Sequence, residues 1–154
     1  MARLDSIPLS ERKMMIELDC SGFEGRNPFV ATKPLNERRV SLVSTAALNL
    51  RDDAVYQRGA TDYRVIPGNV DPGDVVMSHV SVNFDRTGFQ QDLNVVFPLD
   101  RLNELADEGV IGSVAGFHYS FMGATDPREM EPTVRHLAGL LKDDAVNAVL
   151  LVPV

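Results

Sequence analysis

Apolar residues along this chain fall into short, separated runs that repeat with two different periods. Over residues 75–82, Val76, Ser78, Val80 and Val82 alternate with Met77, His79 and Ser81, the two-residue period of an extended strand. Residues 39–45, Arg-Val-Ser-Leu-Val-Ser-Thr, predict an earlier strand. Leu99, Leu102, Leu105 and Ala106 recur instead at helical spacing, behind Pro98, which suits a first turn, and ahead of Gly109, which suits a helix end. A short extended segment, residues 94–97, is expected just before that helix.

The pattern is sharpest near the end. Asp126, Pro127 and Glu129 form a capping-box sequence, and Pro132 still lies near the start, so the regular helix settles after it. Val134, Leu137, Ala138 and Leu141 share one helical face until Asp143 and Asp144 break the run. Ala148, Val149, Leu150, Leu151 and Val152 come next without a polar residue, which predicts a strand buried on both faces in the middle of a parallel sheet. Strands and helices mixed in this order predict an α/β layered domain: a partly parallel sheet with flanking helices, incomplete at its C-terminal end. Ligands of such sheets bind beyond the carboxyl ends of the strands, and the chain stops where an active-site loop is expected to begin.

Residues 1–38 read as an N-terminal arm and residues 39–154 as the α/β domain. In the arm, Ser10 to Met15 can open a short helix, and Gly22, Gly25 and Pro28 interrupt the residues after it. Residues 51–74 make a long connection with a short strand, residues 63–66, inside it. No internal repeat is present.

Composition removes several classes. A chain of 154 residues with 44% hydrophobic and 24% charged residues builds one ordinary globular domain. A formal charge of -7, with lysines and arginines scattered, argues against nucleic acid as a partner. The start lacks the apolar run of a secretory signal, and no segment approaches the roughly 20 apolar residues that cross a bilayer. Cys20 is the only cysteine, which rules out an internal disulfide framework and a multi-cysteine metal site, so a cytoplasmic, reducing setting is the default.

Few residues carry chemistry by type and place. His79, opposite the valine face of its strand, and His118, between Phe117 and Tyr119, are each either an acid, base or carboxylate partner, or a hydrogen-bonded structural histidine. Asp85, Asp92 and Asn94 cluster between two strand-like segments, where they can hold an ammonium or carboxylate group or close turns through local backbone amides. Asp85, Asp92 and His79 have no metal-site spacing. Arg86 and Arg101 can grip a substrate carboxylate, though such residues more often pair on the surface. Cys20 has no flanking motif and reads as inert. Gly109, Gly112 and Gly116 lack phosphate-loop spacing.

Longer motifs say more. The run from His79 to Arg101 closely resembles the signature region of the selenoprotein B family of glycine, sarcosine, betaine and D-proline reductases, nearest its D-proline-reductase-like branch. Arg64-Val65-Ile66-Pro67-Gly68, Gly109-Val110-Ile111-Gly112-Ser113 and His118-Tyr119-Ser120-Phe121-Met122-Gly123 match it too, as does Asp144 through Val154. The resemblance implies that the chain is the N-terminal part of a longer subunit, and that the closing strand runs into a selenocysteine, or sometimes a cysteine, with a further cysteine two residues on. That nucleophile is expected directly after Val154, where a UGA codon read as stop would end the chain. It further implies reductive C–N cleavage of a small amino acid or amine, a pyruvoyl group on a partner subunit, and a dithiol reductant. No cofactor is expected in this chain itself. A selenol suits that chemistry because a cysteine of pKa about 8.5 is mostly protonated at neutral pH. The opposing expectation is a non-catalytic α/β module for binding or assembly.

Overall fold

The computed structural model describes residues 5, 7–17, 25, 30, 31, 33–81 and 86–154, without the side chains of Glu11, Met14 and Met15. It separates into two units, Met1–Ala31 and Thr32–Val154. In the first, α1 (Leu9–Ile16) forms where a short helix is expected. Lys13 pairs with Glu17 one turn on, and the Arg12 guanidinium donates to the carbonyl oxygens of Asp5 and Ile7. Gly22, Pro28 and Cys20 lie outside the described residues.

The second unit contains β1 (Arg39–Ser44), β2 (Leu48–Leu50), β3 (Tyr63–Pro67), β4 (Val75–Met77), α2 (Thr87–Gln91) and α3 (Leu99–Asp107). After them come β5 (Ser113–Val114), β6 (Phe117–Phe121), α4 (Glu131–Asp143) and β7 (Ala148–Val152). β1 is the hub of the sheet. Along one edge it pairs in parallel first with β5, through Arg39 and Val40, and then with β6, through Val43 and Ser44. Along the other edge it pairs in parallel with β7 over its last five residues. β3 lies antiparallel on the far side of β6, and β2 and β4 form a separate antiparallel ribbon.

Alternation along β1 divides the unit into two layers. Val40 and Leu42 face a core built with Ile66, Phe97, Ile111 and the Leu99 and Leu102 face of α3. Val43 faces the other layer, where Tyr119, Phe121 and Leu137 of α4 meet. Burying each such side chain stabilises by about 1.5–3 kcal/mol, so α3 and α4 are held to opposite faces by their apolar stripes. The expected partly parallel sheet with flanking helices is therefore what forms. Arg39 locks its amino end: the guanidinium donates to the carbonyls of Asp144 and Val114 and meets the Asp144 carboxylate at 2.6 Å. Among the described residues no helix is long and apolar enough to cross a membrane.

Four expectations are corrected. The closing apolar run is a parallel strand, but it sits at the edge, paired only with β1 among the described residues, and Leu151 is 68% exposed. Helix α4 packs over β6 and β1, so Leu151 is left uncovered, while Ala148 and Val152 pack against the core on the other face. The alternating strand over residues 75–82 stops at Met77: the Ser78 N–H still bonds the carbonyl of Ala47, but Ala47 is left-handed at φ 53 and ends the partner strand's ladder there. Residues 94–97 are not extended. The Asp92 carboxylate accepts the Asn94 N–H and caps a 3-10 turn, Leu93–Val95. Asp126 does not cap α4 either; it closes a separate turn by accepting the Arg128 N–H, and α4 starts at Glu131 with Pro132 in its first turn. Gly109 ends α3 as expected, in a left-handed conformation at φ +71.

Candidate functional site

The carboxyl ends of β1, β6 and β7 converge on Thr45. Its backbone N–H donates to the carbonyl of Val152 at 3.1 Å, and its hydroxyl oxygen accepts the Val154 N–H at 2.9 Å. Two residues on, the Ala47 N–H donates to the carbonyl of Phe121, tying in the end of β6. Gly123 lies against Thr45 at φ +79, where a Cβ would come within 2.6 Å of the Thr45 carbonyl oxygen. Only glycine allows that approach. Three parallel strand ends are thus drawn into one rigid loop cluster, the place where open α/β sheets put their chemistry.

His79 is the predicted residue that the structure brings to this cluster. The Ser78 N–H bonds to Ala47 at 3.0 Å, so the next residue in the chain lies beside the loop after β1. His79 is buried, its Nδ1 accepts the Ser81 N–H, and the Arg86 guanidinium holds the segment by donating to the carbonyls of His79 and Ser81. Burial first, and the Arg86 charge second, lower its pKa. With Nδ1 an acceptor, the neutral ring carries its proton on Nε2 and acts as a hydrogen-bond donor.

His118 goes elsewhere. β1 leaves β5 after Val40 and meets β6 at Val43, and in that gap the Leu42 N–H donates to Nδ1 of His118. The Ser41 hydroxyl likewise donates to the carbonyl of Phe117. The imidazole is fully buried, edge-on to Phe97, and burial lowers its pKa to about 4. It completes a broken ladder.

Asp92 and Asn94 also serve local structure. The Asn94 amide donates to Asp92 and to the Asp100 carboxylate, while its oxygen accepts the Asp100 N–H. Those bonds from Asn94 hold the Asp92 carboxyl below its usual range. Arg101 pairs with Glu104 on the exposed side of α3. Asp85 lies outside the described residues, and among those described no cluster of histidine, cysteine, aspartate and glutamate can hold a metal. The sequence alone does not single out Thr45, Ser78 or Gly123 as site residues. Gly123 carries a signal, a glycine closing the run Phe121-Met122-Gly123, but Thr45 carries none.

Comparison with known proteins adds what geometry cannot. Residues 8–154 match the family model described as glycine/sarcosine/betaine reductase selenoprotein B. The chain is 34% identical over 123 residues to the D-proline reductase subunit gamma of Acetoanaerobium sticklandii, covering 78% of this chain and 50% of that protein. It is 27% identical over 148 residues to the sarcosine reductase complex component B subunit beta of Peptoclostridium acidaminophilum, covering 93% of this chain and 34% of that protein. It therefore spans about half and about a third of the lengths of these curated relatives. No solved structure matches it. With nearly its whole length matched, the chain belongs to the glycine/sarcosine/betaine reductase selenoprotein B family.

Proposed function

We propose that this chain is the N-terminal part of a longer subunit of a selenol- or thiol-dependent reductase. The reaction is reductive cleavage of a C–N bond in a small amino acid or amine of the glycine, sarcosine, betaine or D-proline type, in a reducing cytoplasm. The observation that carries this reading is the family match over residues 8–154, supported by two relatives whose names are those of reductase components. Electrons and protons balance simply: a dithiol gives up two of each and becomes a disulfide. The C–N bond breaks, its carbon gains one hydrogen and the nitrogen the other; the amine departs from an open-chain substrate and stays attached when the D-proline ring opens.

The nucleophile, a selenocysteine or cysteine, belongs directly after Val154 in this reading. The loop cluster fits such a group: Thr45 fixes the backbone of Val154 at the strand ends, and His79 lies beside the same loop as a neutral donor. When present, a selenolate supplies an anionic nucleophile at neutral pH, which an ordinary thiol does not. A pyruvoyl-bearing partner subunit would supply the substrate's amine-binding group.

The test is an assay with dithiothreitol and D-proline, glycine, sarcosine or betaine. The chain of 154 residues alone should show no turnover. The chain extended with selenocysteine or cysteine and the sequence beyond it should turn over with its partner subunit. Turnover by the short chain that Cys20→Ala abolishes would contradict the reading. An extended, partnered chain that stays inactive would favour the non-catalytic binding or assembly module.

A further inference from the structure

Away from the strand-end cluster, a cavity of about 210 Å³ opens between the turn after β3 and the start of α3. Its wall begins at Gly68, directly after Pro67, which pairs with Phe117 at the amino end of β6. The cavity thus lies at the opposite end of β6 from Gly123. At about 30 Å³ per water, it has room for roughly seven.

Both walls are fixed before any ligand arrives. On one side the Gly68 N–H donates to the carbonyl of Gly116, and the Val70 N–H to that of Pro67. On the other, Asn94 grips Asp100 twice, accepting its backbone N–H at 3.1 Å and donating to Oδ2 at 2.9 Å. The floor is apolar, with Phe97 and Leu99 buried and Val70 and Leu93 half-buried. Asn69, Asp100 and Asn103 stand exposed at the rim.

Charge selects the ligand. No lysine or arginine lines the cavity, and no ion pair among the described residues involves Asp100. The Asp100 carboxylate sits in the first turn of a nine-residue helix, held there by Asn94. The chain's charge of -7 favours cations throughout. An anion meets no lysine or arginine here, whereas a cation meets an oriented carboxylate above an apolar floor.

We propose that this cavity binds a small organic ammonium compound, its nitrogen at the Asp100 oxygen that Asn94 leaves open and its hydrocarbon body on Val70 and Leu93. The site goes beyond the proposed reductase reading and uses none of the strand-end residues.

The experiment titrates the chain with three probes of one shape, isobutylammonium, isobutanol and isobutyrate, while amide chemical shifts are followed by NMR. Isobutylammonium alone should move the amides of Asn69, Val70, Leu93 and Asn103. Asp100→Asn, which keeps a partner for Asn94, should weaken that binding at least tenfold. Asn69→Trp, at an exposed rim position that leaves the fold intact, should close the mouth and remove the response. Equal binding of isobutanol, a preference for isobutyrate, no shifts at these amides, or either variant titrating like the parent overturns the proposal.

Discussion

Leu42 donates its backbone N–H to Nδ1 of His118 at 3.0 Å, in the gap where β1 passes from β5 to β6. An imidazole replaces a missing main-chain acceptor, and it can do so only while that nitrogen carries no proton.

This makes stability depend on pH with a defined sign. Folded His118 has its pKa lowered to about 4, whereas the unfolded chain titrates at about 6.5. As pH falls, the unfolded state takes up the proton first. The stabilisation is therefore complete above about pH 6.5, is lost between there and pH 4, and is worth about 3 kcal/mol. His79 is shifted in the same direction and adds to the slope. His118→Asn retains an acceptor near the Nδ1 position and should flatten the profile in urea unfolding. His118→Leu strands the Leu42 N–H and should cost about 1–3 kcal/mol at neutral pH. Equal slopes for His118→Asn and the parent would remove His118 from the account.

Gly123 and Gly109 both hold left-handed backbone, but their surroundings differ. At Gly109 a Cβ meets nothing within 4 Å, so Gly109→Ala should cost only the conformational term, about 1 kcal/mol. At Gly123 the added carbon strikes the Thr45 backbone, and Gly123→Ala should cost about 2 kcal/mol or more. Thermal melts of the two variants give the comparison. Equal losses would mean that the strand-end cluster is not tightly packed.

The bare edge of β7 should show itself in solution. Val149, Leu150 and Leu151 are 42%, 40% and 68% exposed beside an unpaired strand edge among the described residues. Such edges recruit other strands. The chain should self-associate as concentration rises, and Leu151→Lys should reduce this with little change in melting temperature. A sedimentation profile independent of concentration in the parent chain would contradict this.

Periodicity reveals what depends on local sequence. The apolar stripes of α3 and α4 and the valines and leucine of β1 each encode their element, and the family motifs point to the selenoprotein B family. The features that stay hidden depend on partners distant in sequence. The shortness of β4 follows its partner strand, which breaks at the left-handed Ala47, 31 residues from Ser78. The exposure of Leu151 depends on where α4 packs, which no local run of valines and leucines reveals. Asp92 and Asp126 carry cap-like signals, but the turns they close are their own. Of the candidate site, His79, Gly123 and Val154 fall in runs that the sequence singles out, whereas Thr45 becomes relevant only when three strand ends meet.

Alkylation of the extended protein tests the central claim most directly. The chain is produced with selenocysteine at the position after Val154, treated with iodoacetamide at mildly acidic pH, and its adducts are located by peptide mass spectrometry. A selenolate reacts there while thiols are mostly protonated and slow. The account predicts a single rapid adduct at the residue after Val154, with Cys20 nearly unlabelled. Rapid labelling of Cys20, with the residue after Val154 inert, would contradict it.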